Sequence, residues 1–429
     1  MGHSTLNASK RNVLIIAFSM LFVATLFYFY EYFLRVTPSI MKSQLQASFH
    51  LSEAAFGYLV AFYYYAYTPM QIPVGILMDK YGPKYVLTVA CILCTAGTFL
   101  FASTSHLMVA RLAQFLIGFG SAFAYVGVLK ISDDWLPPRF FALMAGLCTS
   151  LGMVGAIFGE ITSEFFLERM GWQATLCYAA GFGVLLTPVL WFILHDKGKD
   201  SPSLSRQQRL TTKPRVSFLA GITEVLKNPQ IWLTGVVGSL TYLPICVFAG
   251  IWAPDFLATK GFDKADAALG ASLLFLGFAI GCPFWGYLSD LIKSRRLLLI
   301  LGSFLTAIFL MASIWTASSH PILIYTALFL SGFFSGVEIL IFALGNDLVR
   351  SAICATAASF INMMTMLGAV LLPPIIGKLL DKTMHSGVSD PSLENYSLVL
   401  TLLPVGLVLA GVLSIFLKES YPKTLSKHT

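Results

Sequence analysis

The chain has 429 residues, 57% of them hydrophobic and only 11% charged, against roughly 25% charged in an average soluble protein. That balance excludes an ordinary soluble domain and describes a membrane protein, with length for about a dozen helical spans of about 20 mainly apolar residues. The formal net charge of +7 is accounted for by topology, because cytoplasmic segments retain Lys and Arg, and it calls for no nucleic-acid partner.

The first apolar run follows Lys10 and Arg11 and stays apolar from Val13 to Tyr30. A signal-peptide core is shorter, about 7 to 15 residues, and ends in small residues, so this run reads as a retained first span. Hydrophobic runs predict spans at 13–38, 54–78, 84–104, 107–130, 140–163 and 172–194, then at 230–253, 267–289, 297–317, 321–345, 352–377 and 395–417. The long polar stretch between the sets implies an N-terminal six-helix half (1–195), a cytoplasmic linker (196–228) and a C-terminal six-helix half (229–429). With both termini inside, 20 basic residues lie on the inner side and six outside, Lys42 among the six, with Arg35 and Arg111 inside spans. The expected location is a bacterial inner membrane.

All seven cysteines fall in apolar runs, and Cys91 and Cys94, although spaced CxxC, read as small core residues. The seven histidines are scattered over loops and tails. No metal site and no cofactor is expected.

GILMDKYGPKYVL, from Gly75, follows span two, and GYLSDLIKSRRLLL, from Gly286, follows span eight, 211 positions later. Each has Gly, an acid four residues on (Asp79, Asp290) and then basic residues, so one half duplicates the other. The pair resembles the signature loops of the major facilitator superfamily, and RLAQFLIGFGSA, from Arg111, resembles that family's span-four motif. LGMVGAIFG in span five has the glycines of the antiporter motif without its proline. The resemblance implies an all-α fold of 12 transmembrane helices and alternating access by rocking of the halves. It also implies a conformational latch formed by Gly75, Asp79, Lys80, Gly82 and Lys84, with Gly286, Asp290 and Arg295 as the second copy. Asp79→Asn is expected to slow transport and leave folding intact.

Ionisable residues inside a span cost roughly 2.5 to 3.5 kcal/mol on insertion scales and are functional candidates by default. Glu31 and Arg35 share a face of span one at i, i+4 spacing. They read either as a mutual ion pair, or Glu31 with Arg111, or as separated charges gripping a zwitterion, Arg35 on its carboxylate. Glu338 in span ten suits a carboxyl that loads and unloads a proton, or one hydrogen-bonded to a neighbouring helix. Tyr63, Tyr67 and Gln71 form a polar stripe on span two, and Gln114, Tyr242 and Asn362 complete the candidate cavity.

The chain has no GxxxxGKS/T nucleotide loop, so an ion gradient is the expected energy source. The expected function is proton-coupled transport of a small polar organic solute by a monomer, foremost uptake of an amino acid or similar nutrient. FYEYFLRVTPSIM and AYTPMQIPVGILMDKYGPK resemble the branch that includes the phagosomal nutrient transporters of intracellular bacteria. The alternatives are a carrier of a larger organic anion, siderophore or drug, in either direction, and a non-transporting membrane sensor. An integral-membrane enzyme is disfavoured by the scattered histidines.

Overall fold

The computed structural model describes residues 2–136, 141–196, 218–317, 320–350, 353–383 and 391–419. Arg139 and most of the linker, residues 197–217, lie outside the described residues. Every regular element among the described residues is helical, and ten helices are long and apolar enough to cross a membrane. These ten match expected spans one, three, four and six to twelve. Span two is split between α3 (Glu53–Met70) and α4 (Pro73–Tyr81), and span five is the first part of a helix with a shorter apolar stretch, Leu147–Ser163. The architecture is thus compatible with twelve spans.

By internal contacts the chain forms two compact units, Met1–Thr37 with Tyr65–Pro214, and Pro38–Tyr64 with Arg215–Thr429. Unit 1 takes most of α1 (Gly2–Ile40), the end of α3, α4, α5 (Pro83–Ser103), α6 (Leu107–Ser121), α7 (Ala124–Trp135) and α8 (Phe141–Ile193). Unit 2 takes the end of α1, α2 (Lys42–Phe49), the start of α3, and all helices from α9 (Phe218–Lys227) onward. The latter are α10 (Pro229–Thr241), α11 (Ala253–Thr259), α12 (Lys264–Ile292), α13 (Arg295–Trp315), α14 (Pro321–Ser335), α15 (Leu340–Asp347), α16 (Cys354–Thr365), α17 (Leu367–Thr383), α18 (Leu393–Leu400) and α19 (Leu402–Ser414).

The breaks within spans have local causes. Proline removes a backbone donor and crowds the preceding turn; α3 ends one residue after Pro69, and α4 starts at Pro73, leaving Gln71 in the gap. Span seven passes through a π-helical stretch, Pro244–Trp252, that begins on a proline. In α8 a positive φ of 78° at Gly171 divides spans five and six. Span ten tightens into a 3₁₀ turn, Gly336–Ile339, which carries Glu338.

Without a hydrophobic force between helices in lipid, small residues permit close packing. In unit 1, Gly152, Gly155 and Gly159 lie against Tyr28, Phe29 and Val36 of α1. The glycine face of span five therefore serves as the seat of span one.

Candidate functional site

In unit 1 the α-helical spacing of Glu31 and Arg35 closes a buried ion pair. Arg35 Nε and Nη2 donate to Glu31 Oε1 at 2.9 and 2.5 Å. Glu31 is 0% exposed and Arg35 7%. Two aromatic rings hold the guanidinium: its Cζ lies 4.2 Å from the Tyr32 centroid and 4.9 Å from that of Tyr67. Each such contact is worth about 0.5 to 2 kcal/mol, the upper end when desolvated. Tyr32, three residues from Arg35 on the same helix, was not singled out in the sequence, although its i, i+3 spacing is the signal that finds it.

The other unit 1 candidates gather less tightly. Gln71 is buried, and its side chain donates to the Tyr67 carbonyl at 3.4 Å. Gln114 is buried on α6, one turn from Arg111, which is half-buried with Nη1 3.5 Å from Met108 Sδ.

Unit 2 holds Tyr63, Tyr242, Glu338 and Asn362. Tyr63 is buried and packs edge-on against Tyr64 with centroids 5.0 Å apart. Tyr242 is buried edge-on to Phe278 at 5.8 Å. Glu338 is buried in its 3₁₀ turn, and Asn362 is half-buried on α16. Residues 63 and 67, expected on one face of span two, thus fall into different compact units.

The two signature loops share a construction. Gly82 and Lys293 occupy the same repeat position, and both have a positive φ, 80° and 58°. The positive φ favours glycine at 82, and a Cβ there would meet Asp196 Oδ1 at 2.3 Å and displace that carboxylate. That Asp196 oxygen accepts from the Lys84 backbone N–H at 3.0 Å. In the second copy Glu419 accepts from the backbone N–H groups of Arg295 and Arg296 at 3.0 and 3.2 Å, and from Ser294 Oγ at 2.5 Å. Each half therefore caps the helix after its loop with an acid from the end of its own last span, satisfying donors the helix cannot and placing a negative charge on its positive end. Neither acid was singled out in the sequence; Asp196 lies 112 residues from its partner.

The basic residues expected in the latch lie beside these caps. Lys80 and Lys84 lie over the rings of Tyr81 and Trp191 at 4.9 and 4.7 Å. Arg295 forms an ion pair with Asp347, at the end of span ten. Asp290 is exposed, while the side chain of Asp79 lies outside the described residues. Gly75 and Gly286 have room for a Cβ among the described residues, so local packing does not demand glycine at either.

A second buried cation was missed. Lys42, counted in the sequence as an outside loop residue, is 1% exposed. Its ammonium lies 2.7 Å from Glu53 Oε2 and 2.5 Å from Asp255 Oδ2, donates to Tyr396 Oη at 2.6 Å, and faces the Trp252 ring at 4.8 Å. Tyr396 in turn donates to Asp255. Nothing in the local sequence ties position 42 to 255 or 396; only the fold of unit 2 does.

The comparisons agree with this architecture. The family model described as Major Facilitator Superfamily matches residues 13–373 and 247–428. The uncharacterized transporter YybO of Bacillus subtilis (strain 168) is 25% identical over 377 residues, 82% of this chain and 85% of its own. The hexuronate transporter of Escherichia coli (strain K12) is 24% identical over 379 residues, 82% and 84% of the two chains. Among solved structures, a bacterial homologue of the human lysosomal transporter Spinster, in an inward-facing and occupied conformation, superposes with a TM-score of 0.75 at 16% identity, covering 92% of this chain and 96% of that one. A D-xylose–proton symporter gives 0.72 at 15% identity, covering 95% and 99%. With a family model that spans nearly its whole length, paired signature loops and a helical membrane fold, the chain belongs to the Major Facilitator Superfamily and is a transporter rather than an enzyme.

Proposed function

We propose that the chain takes up a small organic acid across the inner membrane together with protons, with Arg35 as the carboxylate anchor and Glu31 as the proton site. The observation that carries this reading is the buried pair itself. A guanidinium held between two aromatic rings keeps its position when its anionic partner changes. Protonation of Glu31 releases Arg35, and a solute carboxylate replaces Glu31 as the bidentate partner. The site then keeps one cation and one anion throughout, so the desolvation penalty of an unpaired charge is avoided at each step. Proton and carboxylate enter and leave together.

Sugar acids are the favoured class. Relatives of 24% identity covering over four-fifths of both chains are a hexuronate transporter and a probable galactarate/D-glucarate transporter. Polar groups such as Gln71 and Gln114 suit the hydroxyls of such a solute. An amino acid is the second reading, favoured by the opposite charges of Glu31 and Arg35, with Glu31 on the ammonium. The halves 1–195 and 229–429 act as the rocking bodies joined by the linker 196–228, with both termini cytoplasmic, and Glu338 is a second proton-site candidate.

The test is uptake by the purified chain in liposomes under an inward proton gradient, with labelled glucuronate, galactonate and an amino-acid mixture, and with Glu31→Gln in parallel. Gradient-dependent accumulation of one acid, lost in Glu31→Gln, supports the proposal. Accumulation of amino acids alone favours the second reading. Accumulation that survives Glu31→Gln removes Glu31 from coupling.

A further inference from the structure

The Lys42 cluster holds together segments from both sequence halves. Lys42 and Glu53 belong to the stretch 38–64, Asp255 ends span seven, and Tyr396 opens span twelve. Asp381, at the end of span eleven, accepts from the backbone N–H groups of Glu53 and Ala54 at 2.9 and 3.1 Å. The helices touch backbone to backbone beside it: a Cβ at Gly57 would meet the Pro373 carbonyl oxygen at 2.2 Å, and one at Gly377 that of Glu53 at 2.3 Å. All these groups lie at span ends remote from the two signature loops. By the basic-residue bias that end faces outward.

We infer that Lys42, Glu53, Asp255, Tyr396 and Asp381 form a two-state lock that keeps the outer face closed. The inference rests on the alternating-access reading of the proposed function. The partners of Lys42 divide between the halves. If residues 38–64 leave unit 2 with the N-terminal half, Lys42 keeps Glu53, which travels with it, and Asp255 keeps the hydroxyl of Tyr396. Each half keeps a paired group, Lys42 with Glu53 and Asp255 with Tyr396, and only Asp381, at its span end, exchanges the N–H groups of Glu53 and Ala54 for water. In the closed arrangement Lys42 bridges both carboxylates, and Asp381 caps the N-terminus of α3. Two discrete arrangements, each satisfied, make an element that solute and protons can bias.

The lock predicts opposite signs for two carboxylate substitutions. Asp255→Asn removes the partner Lys42 has only when closed and favours opening. Glu53→Gln removes the partner Lys42 keeps when open and favours closure. Lys42→Met takes away the bridge, and Tyr396→Phe is the milder variant that drops the hydroxyl between Lys42 and Asp255.

The experiment uses the full chain in lipid nanodiscs, with spin labels carried on unnatural amino acids at Ser43 and Thr259. Both positions are exposed, and the native cysteines stay in place. Pulsed dipolar spectroscopy reads the distance between the labels. Lys42→Met and Asp255→Asn are expected to raise the ratio of long to short distances about tenfold, within the usual range of coupling between two states, Tyr396→Phe to raise it less, and Glu53→Gln to lower it. Unchanged distributions in Asp255→Asn and Tyr396→Phe, with size-exclusion profiles like the parent, overturn the lock, as does a Glu53→Gln shift toward opening. Because the distances require no solute, the expected shifts without organic-acid uptake sink the proposed function and leave the lock standing. Uptake with unmoved distances does the reverse.

Discussion

Arg35 and Lys42 stand seven residues apart in the sequence, two helical turns, and bury a cation in opposite ways. Arg35 takes its carboxylate from its own helix, so the ion pair itself needs no acid from elsewhere, while the Tyr67 ring of α3 packs on the guanidinium. Lys42 takes one carboxylate from 11 residues away and another from 213, with a tyrosine at 354. A pair closed within one helix travels with that helix through a conformational change, which is what the proposed exchange of its anion for a solute's requires. A pair assembled from distant segments exists in one arrangement only, and is suited to selecting between arrangements.

The largest effect expected from breaking that contrast is at Arg35. Arg35→Met leaves the Glu31 carboxylate buried without its cation, and loss of one partner of a buried pair costs about 3 to 5 kcal/mol. Uptake is expected to fall to background and the thermal midpoint to drop. Adding Glu31→Gln is expected to recover most of the midpoint and none of the uptake, as measured by thermal unfolding beside the liposome assay. Recovery of uptake in the double variant would falsify the anchor role.

The signature-loop caps give the next effect, and they sharpen the contrast because each is local to its own unit. Among the described residues Glu419 accepts three bonds from the start of its helix and Asp196 one. Glu419→Ala is therefore expected to cost about 1 to 2 kcal/mol and Asp196→Ala about 0.5 to 1 kcal/mol, the range of helix N-caps. Equal losses in thermal unfolding would mean that the second loop gains nothing from its extra bonds.

Lys260 is a third way to bury a cation. Its ammonium donates to the carbonyls of Ser313 and Ile314 at 2.8 and 2.7 Å, near the end of α13. Burial pushes it down from 10.5 to about 8. The sign follows from proton counting: between these values the unfolded chain holds a proton that the folded one has lost, so stability rises with pH. Against Lys260→Met, the native chain is expected to gain thermal stability from about pH 8 to about pH 10. A flat difference across that window would show that the two carbonyls hold the ammonium charged.

How much of this could be read from sequence depended on range. The spans follow from composition, and the repeat of Gly75 and Gly286 from direct alignment of the halves. Glu31 and Arg35 were legible as a pair because a helix puts i and i+4 together. Lys42 was legible only as a loop residue, because its partners come from ends of spans seven and twelve that no local pattern joins to it. Asp196 and Glu419 were missed for the same reason, although each closes its half at an equivalent place. Tyr67 was found as one member of a polar stripe, but its role against the Arg35 guanidinium needed the packing of α3 on α1.

The smallest expected effect isolates burial as the variable. Arg350 and Glu224 have the same chemistry as Arg35 and Glu31, with Nε donating to Oε1 at 3.0 Å and Nη2 donating to Oε2. Their side chains are 65% and 37% exposed, against 5% and 0% for the buried pair. The hydrogen bond from Arg350 holds the Glu224 carboxyl below its usual value, so what it contributes is present at neutral pH and lost as acidification protonates the carboxylate. Water and salt already solvate both partners, and exposed pairs contribute little. Glu224→Gln is expected to leave the thermal midpoint unchanged within error at low and high salt. If it instead destabilises the chain as Arg35→Met does, desolvation is not what separates the two pairs, and the case for partner exchange at Arg35 loses its physical basis.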